Sequence, residues 1–344
     1  MKCISYRKLE EFCISSLKYK NVRSDVIDCV TKSLIQTSLR GVDSHGIRLL
    51  PHYLEAIDSG RINTNPQYIF EERSPSTAKL DGDHTFGHAA GKEGMEKAIA
   101  KAKETGMGAV AVFNSTHFGA AAFFSLVAAD KDMIGISFTH ADSLMLTYNG
   151  KRPFFGTNPL CFAAPCEREY PFCLDMATTR VTWNKIKKKM DEKQKIPKSW
   201  GVDKTGKETT DVEKVAYLLP IGDYKGYGLG MMIEILCGLL TSMPYGNNIC
   251  RMYDDPIDKK RKLGHFFIAI DIECFEEKQR FKKRLKKMMD EVRKEPSKKG
   301  EKIMVPGDPE KKEMKIRLEK GIPLDKVTLQ KLRQIAKNIN FDLD

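Results

Sequence analysis

Apolar residues recur at helical spacing from the start of the chain: Leu9, Phe12, Cys13 and Leu17, then Val26, Ile27, Val30 and Leu34. Each set lies on one face of a 3.6-residue helix, which predicts two amphipathic helices within residues 6–40. Asn21 or Ser24 is placed to cap the second. Residues 49–59 predict a further helix, with Gly60 as its stop. The segment 63–75, punctuated by Pro66 and Pro75, reads as extended. After that the period changes. Apolar runs of strand length occur at 78–83, 106–113, 133–139, 160–165, 171–175 and 265–272, with helical stretches at 91–105, 120–131, 226–241 and 276–292. Strand, helix and strand of these lengths make an α/β unit. Beyond Pro306, helices near 309–319 and 325–338 are expected to pack back on the first ones. The pattern therefore predicts a helical lobe formed by 1–75 and completed by 300–344, with a central α/β domain at 76–299.

The 344 residues carry a formal net charge of +12. Lysines concentrate at 185–198, 258–262 and 277–320, where they alternate with Asp and Glu. That interleaving predicts solvated helix faces with i,i+4 pairs, and no aromatic-interleaved basic patch points to nucleic acid. The positive field favours an anionic small molecule. Nine cysteines without CxxC spacing, and no signal peptide, predict free thiols in the cytoplasm and no metal site. The apolar stretch 226–243 is broken by Tyr227, Glu234 and several glycines, so it reads as a buried helix and not a membrane span.

The candidate chemistry centres on Ser115-Thr116-His117-Phe118-Gly119, which sets one imidazole on a turn after an apolar strand. An imidazole titrates near neutrality and alternates between base and acid. Upstream, Ser44 and His45 occupy a glycine-terminated turn. They can donate to a carboxylate with help from Arg48, or Ser44 can cap the next helix. Asp175 ends a strand-like run and suits either ribose hydroxyls or a cap. Lys225 opens an apolar helix at Gly226-Tyr227-Gly228-Leu229-Gly230, where the glycines serve tight packing or a phosphate. Asn158-Pro159 makes a rigid turn. No GxGxxG follows a strand, so a dinucleotide would require a fold other than the doubly wound one.

SHGIRLLPHY (44–53), DGDHTFGHAAG (81–91), NSTHFG (114–119), GTNP (156–159), LDMATT (174–179), DKTGKETTD (203–211), KGYGLG (225–230) and HFFIAID (265–271) together resemble the type 2 malate/L-lactate dehydrogenase family, in family order. That family also includes ureidoglycolate and sulfolactate dehydrogenases and some cyclic-imine reductases. The resemblance implies a non-Rossmann nicotinamide-binding α/β fold, a homodimer with sites near the subunit interface, and an NAD- or NADP-dependent oxidoreductase acting on a 2-hydroxy acid/2-oxo acid pair. It makes His117 the proton acceptor and donor, with Ser44, His45 and Arg48 at the substrate. Ala141, Asn158, Asp175, Met176, Ala177, Lys225, Gly307 and Asp308 fall to the cofactor. Relatives commonly carry the arginine one position later, where Leu49 stands, and a glutamine in place of His88. Malate/oxaloacetate is the expected pair. Lactate, ureidoglycolate, 2,3-diketogulonate, sulfolactate and a cyclic imine are the alternatives. A non-catalytic dinucleotide- or polyanion-binding protein is the reading from another class.

Overall fold

The computed structural model describes residues 2–343. Seven strands, numbered in chain order, organise it: β1 (Ile69–Ser74), β2 (Thr77–Asp81), β3 (Met107–Ser115), β4 (Met133–Thr139), β5 (Leu160–Cys166), β6 (Glu169–Met176) and β7 (Leu263–Asp271). They lie in the order β1-β2-β3-β7-β4-β5-β6. Only β2 and β3 run parallel; every other neighbouring pair is antiparallel.

The last strand to arrive, β7, inserts between β3 and β4, so His265 faces Val112 on one side and Thr139 on the other. Its ring bonds both neighbours, Nδ1 to Thr139 Oγ1 at 2.7 Å and Nε2 to Ser115 Oγ at 2.8 Å. Burial holds this imidazole neutral, pushing it down to about 3. The bridge clamps the strand ends from which the turn at His117 and the segment at Ala141 emerge.

Among the described residues ten α-helices surround the sheet: α1 (Tyr6–Tyr19), α2 (Ser24–Leu39), α3 (Leu50–Asp58), α4 (Gly87–Thr105), α5 (Ala122–Ala129), α6 (Trp183–Asp191), α7 (Tyr224–Glu234), α8 (Lys278–Lys294), α9 (Asp308–Lys320) and α10 (Lys326–Asn338). Helices α4 and α5 pack on the sheet through Phe124 and Phe267, which are fully buried. Glycines set that closeness: a Cβ at Gly91 would lie 2.6 Å from the Phe124 ring, and one at Gly94 2.7 Å from Val112. One apolar cluster runs unbroken from Leu9, Phe12 and Leu34 through Phe124 to Phe267 and Leu332. The chain ends meet where Lys2–Ile4 pairs antiparallel with Ile322–Leu324. Four short strands make a second sheet, and α6 with Trp200 and Val215 encloses a small core of its own.

Three local expectations differ from the structure. Helix α2 begins after Arg23, whose guanidinium clasps Asp25, and neither Asn21 nor Ser24 caps it. Asn21 instead takes φ 53° in the preceding turn. The 226–241 stretch is α-helical only to Glu234 and then π-helical over Ile235–Leu239. It is also buried on one face only: Ile233 and Cys237 are fully buried, whereas Met231, Met232, Ile235, Leu239 and Leu240 are 40–54% exposed. Hydrophobicity marks a surface to be covered without saying by what, and a contiguous exposed apolar face signals an interface. Among the described residues no helix is long and apolar enough to cross a membrane, and all nine cysteines are free.

Arg317 of α9 ties the C-terminal segment to the N-terminal helices. It donates to Ser38 O at 2.7 Å, Glu313 Oε1 at 2.7 Å and the Asp43 carboxylate, with Oδ2 at 3.0 Å. Arg317→Ala would take the guanidinium from Ser38 O, which keeps its bond from Gly41 N at 3.1 Å, and release the residue before Ser44. Urea denaturation should show a loss of roughly 2–3 kcal/mol, the scale of hydrogen bonds to a charged group.

Candidate active site

A cavity of about 540 Å³ opens where the ends of β3, β4 and β6 meet the turn after α2, the start of α6 and the segment before β7. Ser44, His45, His117, Ala141, Asp175, Met176 and Ala177 line it. Residues far apart in sequence are thus brought to one wall. Arg48, Asn158, Lys225, Gly307 and Asp308 do not line it.

His117 is positioned from both sides. Gly87, the first residue of α4, packs so closely on the turn that a Cβ there would lie 2.4 Å from Thr116 O. The Gly87 N–H donates to Thr116 Oγ1 at 3.0 Å, and that hydroxyl donates to Thr85 O at 2.9 Å. From the other side, Tyr53 of α3 bonds His117 Nδ1 through its hydroxyl at 2.8 Å. The His45 ring stacks on His117 with centroids 5.5 Å apart, and Ser44 Oγ bonds His45 Nδ1 at 2.8 Å. Ser44 therefore serves its neighbour's ring and not a helix cap.

Burial makes charge costly here. It pushes His45 down to about 4 and buried His88 down to about 3, and holds His117 well below the ordinary histidine value. The neighbouring imidazoles and Arg261 depress His117 further. At neutral pH His117 is thus an uncharged base. In the tautomer that carries its proton on Nδ1 and donates it to the Tyr53 oxygen, Nε2 keeps a lone pair free to take a proton.

At the opposite end, Asp175 Oδ2 accepts from Ala122 N at 2.9 Å, at the start of α5. Asn158 is buried and works behind the wall. Its Oδ1 accepts from Ala141 N at 3.1 Å, while its amide donates to Gly230 O at 2.9 Å and Glu234 Oε2 at 2.7 Å. Asp308 is bound to Arg293, which also bonds Glu169 and Asp290. Gly307, at φ 96°, lies against Cys173 of β6, and Glu310, one turn on, reaches the cavity. Lys225 is exposed at the start of α7, and Arg48 is exposed beside the cavity while its neighbour Leu49 lines it.

Sequence reasoning missed Tyr53, Lys187, Tyr253 and Arg261. Tyr53 ends the SHGIRLLPHY string and, one α-helical turn beyond Leu49, was legible as part of that helix's inner face. Arg261 and Lys187 sit inside lysine-rich runs that composition assigned to solvent. Yet Arg261 is 3% exposed, and Lys187 lies over the Tyr253 ring with Nζ 4.5 Å from its centroid.

The model of the family described as malate/L-lactate dehydrogenase matches residues 4–333. The chain belongs to that family. It is 38% identical over 323 residues to a malate dehydrogenase of Pyrococcus abyssi, covering 90% of this chain and 87% of the relative. A ureidoglycolate dehydrogenase (NAD(+)) of Escherichia coli K12 is 36% identical over 289 residues, 84% of this chain and 82% of that one. The crystal structure of malate dehydrogenase from Entamoeba histolytica superposes with a TM-score of 0.94 at 33% identity, covering 99% of each chain.

Two outcomes follow from this geometry. Tyr53→Phe removes the acceptor for His117 Nδ1–H, so kcat should fall by about tenfold, the worth of one hydrogen bond to an ionising group. The acid limb of the pH–rate profile should move to lower pH, because the imidazolium loses its support. Separately, six imidazoles (His45, His52, His84, His88, His117 and His265) are held below their unfolded value near 6.5. The unfolded chain binds these protons first, so stability is full above pH 6.5 and drains as pH falls toward 4. Thermal denaturation at pH 5 should give a melting point roughly 5–10 °C below that at pH 7.5.

Proposed function

We propose that this cavity performs reversible hydride transfer between a 2-hydroxy acid and a nicotinamide dinucleotide, NAD or NADP, with malate and oxaloacetate as the pair. The observation that carries the reading is His117. It is an uncharged, tyrosine-oriented imidazole at the junction of a cationic end of the cavity and an open end walled by Asp175-Met176-Ala177.

The residues present fit a dinucleotide. Asp175 offers a carboxylate oxygen for ribose hydroxyls while its other oxygen is held by Ala122 N. Gly119, Ala120, Ala141 and Ala177 keep the wall low, and a Cβ at Gly119 would lie 2.6 Å from His88 Nε2. Gly307 and Asp308 brace the turn behind this end. When bound, the coenzyme accepts or returns the hydride at the substrate's C2.

The protein's own part is positional and electrostatic. In oxidation, His117 Nε2 takes the hydroxyl proton, and the resulting imidazolium donates Nδ1–H to Tyr53. In reduction, the imidazolium polarises the oxo group and returns the proton. Burial opposes that charge in the free protein, so a dianionic substrate, arriving with two carboxylates, is what stabilises it. Ser44 and His45 contribute donors beside the reacting oxygen. The cationic side chains at this end, Arg251, Arg261 and Lys187, suit a dicarboxylate, as does the net charge of +12.

The exposed apolar face of α7 supports a homodimer built on that face. Lys225, at the first turn of the same helix, stands beside it. The nine free thiols fit the reducing cytoplasm.

Consumption of NADH and NADPH with oxaloacetate, and their formation with L-malate, tests the reading. His117→Ala should lower kcat by about two to four powers of ten, as for loss of a general base. Turnover near that of the parent protein would refute the assignment.

A further inference from the structure

We propose that Arg261 anchors the C1 carboxylate of the substrate, the role that sequence position offers to Arg48. The inference rests on the hydroxy-acid reading and names the group that recognises it.

Arg48 is exposed and outside the cavity wall, and the next residue, Leu49, contributes an apolar side chain there instead. An anion at the His117 end therefore needs another cation. Arg261 lines the cavity and is 3% exposed. Of its three guanidinium nitrogens only Nη2 is bonded, to Asp142 Oδ1. Nε is buried without a partner, and no described residue bonds Nη1.

The charge balance around it is incomplete. Asp142 also accepts from Met252 N at 2.7 Å through Oδ2, so its carboxylate is shared. A second guanidinium, Arg61, is buried close by and spends its Nη atoms on Met252 O at 3.1 Å and Pro256 O at 2.7 Å. Asp142 thus bonds Arg261 and lies within electrostatic range of Arg61, which Asp255 also offsets, and the positive charge of Arg261 reaches His117 and His52. A buried cation with unused donors is costly unless an anion completes it. A carboxylate does so with paired, charge-assisted hydrogen bonds from a planar fork.

The remaining cations are placed differently. Lys187 rests on Tyr253, and Arg251 is half exposed and paired with Asp254 at 3.4 Å. Both are suited to a variable distal group. Arg261 is fixed, as an anchor for the carboxylate common to all 2-oxo acids must be.

The test uses the full-length protein and its Arg261→Gln, Arg261→Lys and Arg48→Gln variants. Kinetics are measured with oxaloacetate and with pyruvate, and oxalate binding by thermal shift in the presence of coenzyme. Arg261→Gln should raise KM for both oxo acids by roughly 30- to 1,000-fold and abolish the oxalate shift, as expected for a truncated buried charge partner. Arg261→Lys should recover part of both, and Arg48→Gln should change KM less than about twofold, as an exposed cation does. If Arg261→Gln proves unstable, Asp142→Asn/Arg261→Gln removes the stranded carboxylate and should show the same losses. A KM rise confined to oxaloacetate, or one produced by Arg48→Gln and not by Arg261→Gln, overturns the assignment. Loss of oxalate binding in Arg261→Gln, with no 2-oxo acid turned over by the parent protein, would retain the anchor and sink the proposed reaction. An active parent with an unchanged Arg261→Gln variant would do the reverse.

Discussion

The 2.8 Å hydrogen bond between the Tyr53 hydroxyl and His117 Nδ1 joins two parts of the chain that have no sequence relation. Tyr53 comes from the third helix and His117 from the end of the third sheet strand. The bond exists only if that helix docks on the sheet and the turn is pressed into place by Gly87. Everything chemical in the cavity depends on it, because an imidazole with an undefined tautomer is neither a reliable base nor a reliable acid. On the proposed reading the fold would therefore position its proton-transfer group by packing, through a tyrosine hydroxyl.

That choice has an electrostatic consequence. A carboxylate partner would raise the histidine's proton affinity in the empty protein, whereas a phenol leaves burial and nearby cations to lower it. The free site is poised to accept a proton, and the charged form waits for an anion. Substrate charge and proton affinity are thus coupled within one cavity. The surroundings are positively charged, with Arg261 bonded to Asp142 and Arg61 buried nearby on Met252 O and Pro256 O, which suits the anionic substrate proposed above.

Much of this was legible in the chain. The helical spacing of Leu9 to Leu34 and the strand-length runs at 106–113, 133–139 and 265–272 correspond to observed elements, because those residues bury one face or both. His117, His45 and Asp175 stood out as polar residues in turns or at the end of an apolar run, and all three line the cavity. What could not be read was the destination of each side chain. Asn158 sits in a motif that resembles a ligand contact, and its fully buried side chain bonds Ala141 N, Gly230 O and Glu234 behind the cavity wall. Arg261 lies in the run Asp258-Lys259-Lys260-Arg261-Lys262, where composition announces solvent and the three-dimensional path turns one residue inward. The cap assigned to Asn21 or Ser24 failed for a similar reason: Arg23 and Asp25 pair with each other and leave the helix start uncapped.

The exposed apolar helix bears on the same site through a buried chain of bonds. Glu234, 3% exposed, closes α7, accepts from Asn158 with one oxygen and from Gly246 N at 2.7 Å with the other. Asn158 in turn fixes Ala141 N on the cavity wall. The helix changes to π-helical winding immediately after Glu234, a local departure that commonly marks a functional segment. A surface that covers Met231, Ile235 and Leu239 would press on the one helix whose last residue holds that wall. In the proposed homodimer, covering the apolar face and shaping the cavity would therefore be two results of a single packing event, carried to Ala141 N through Glu234 and Asn158.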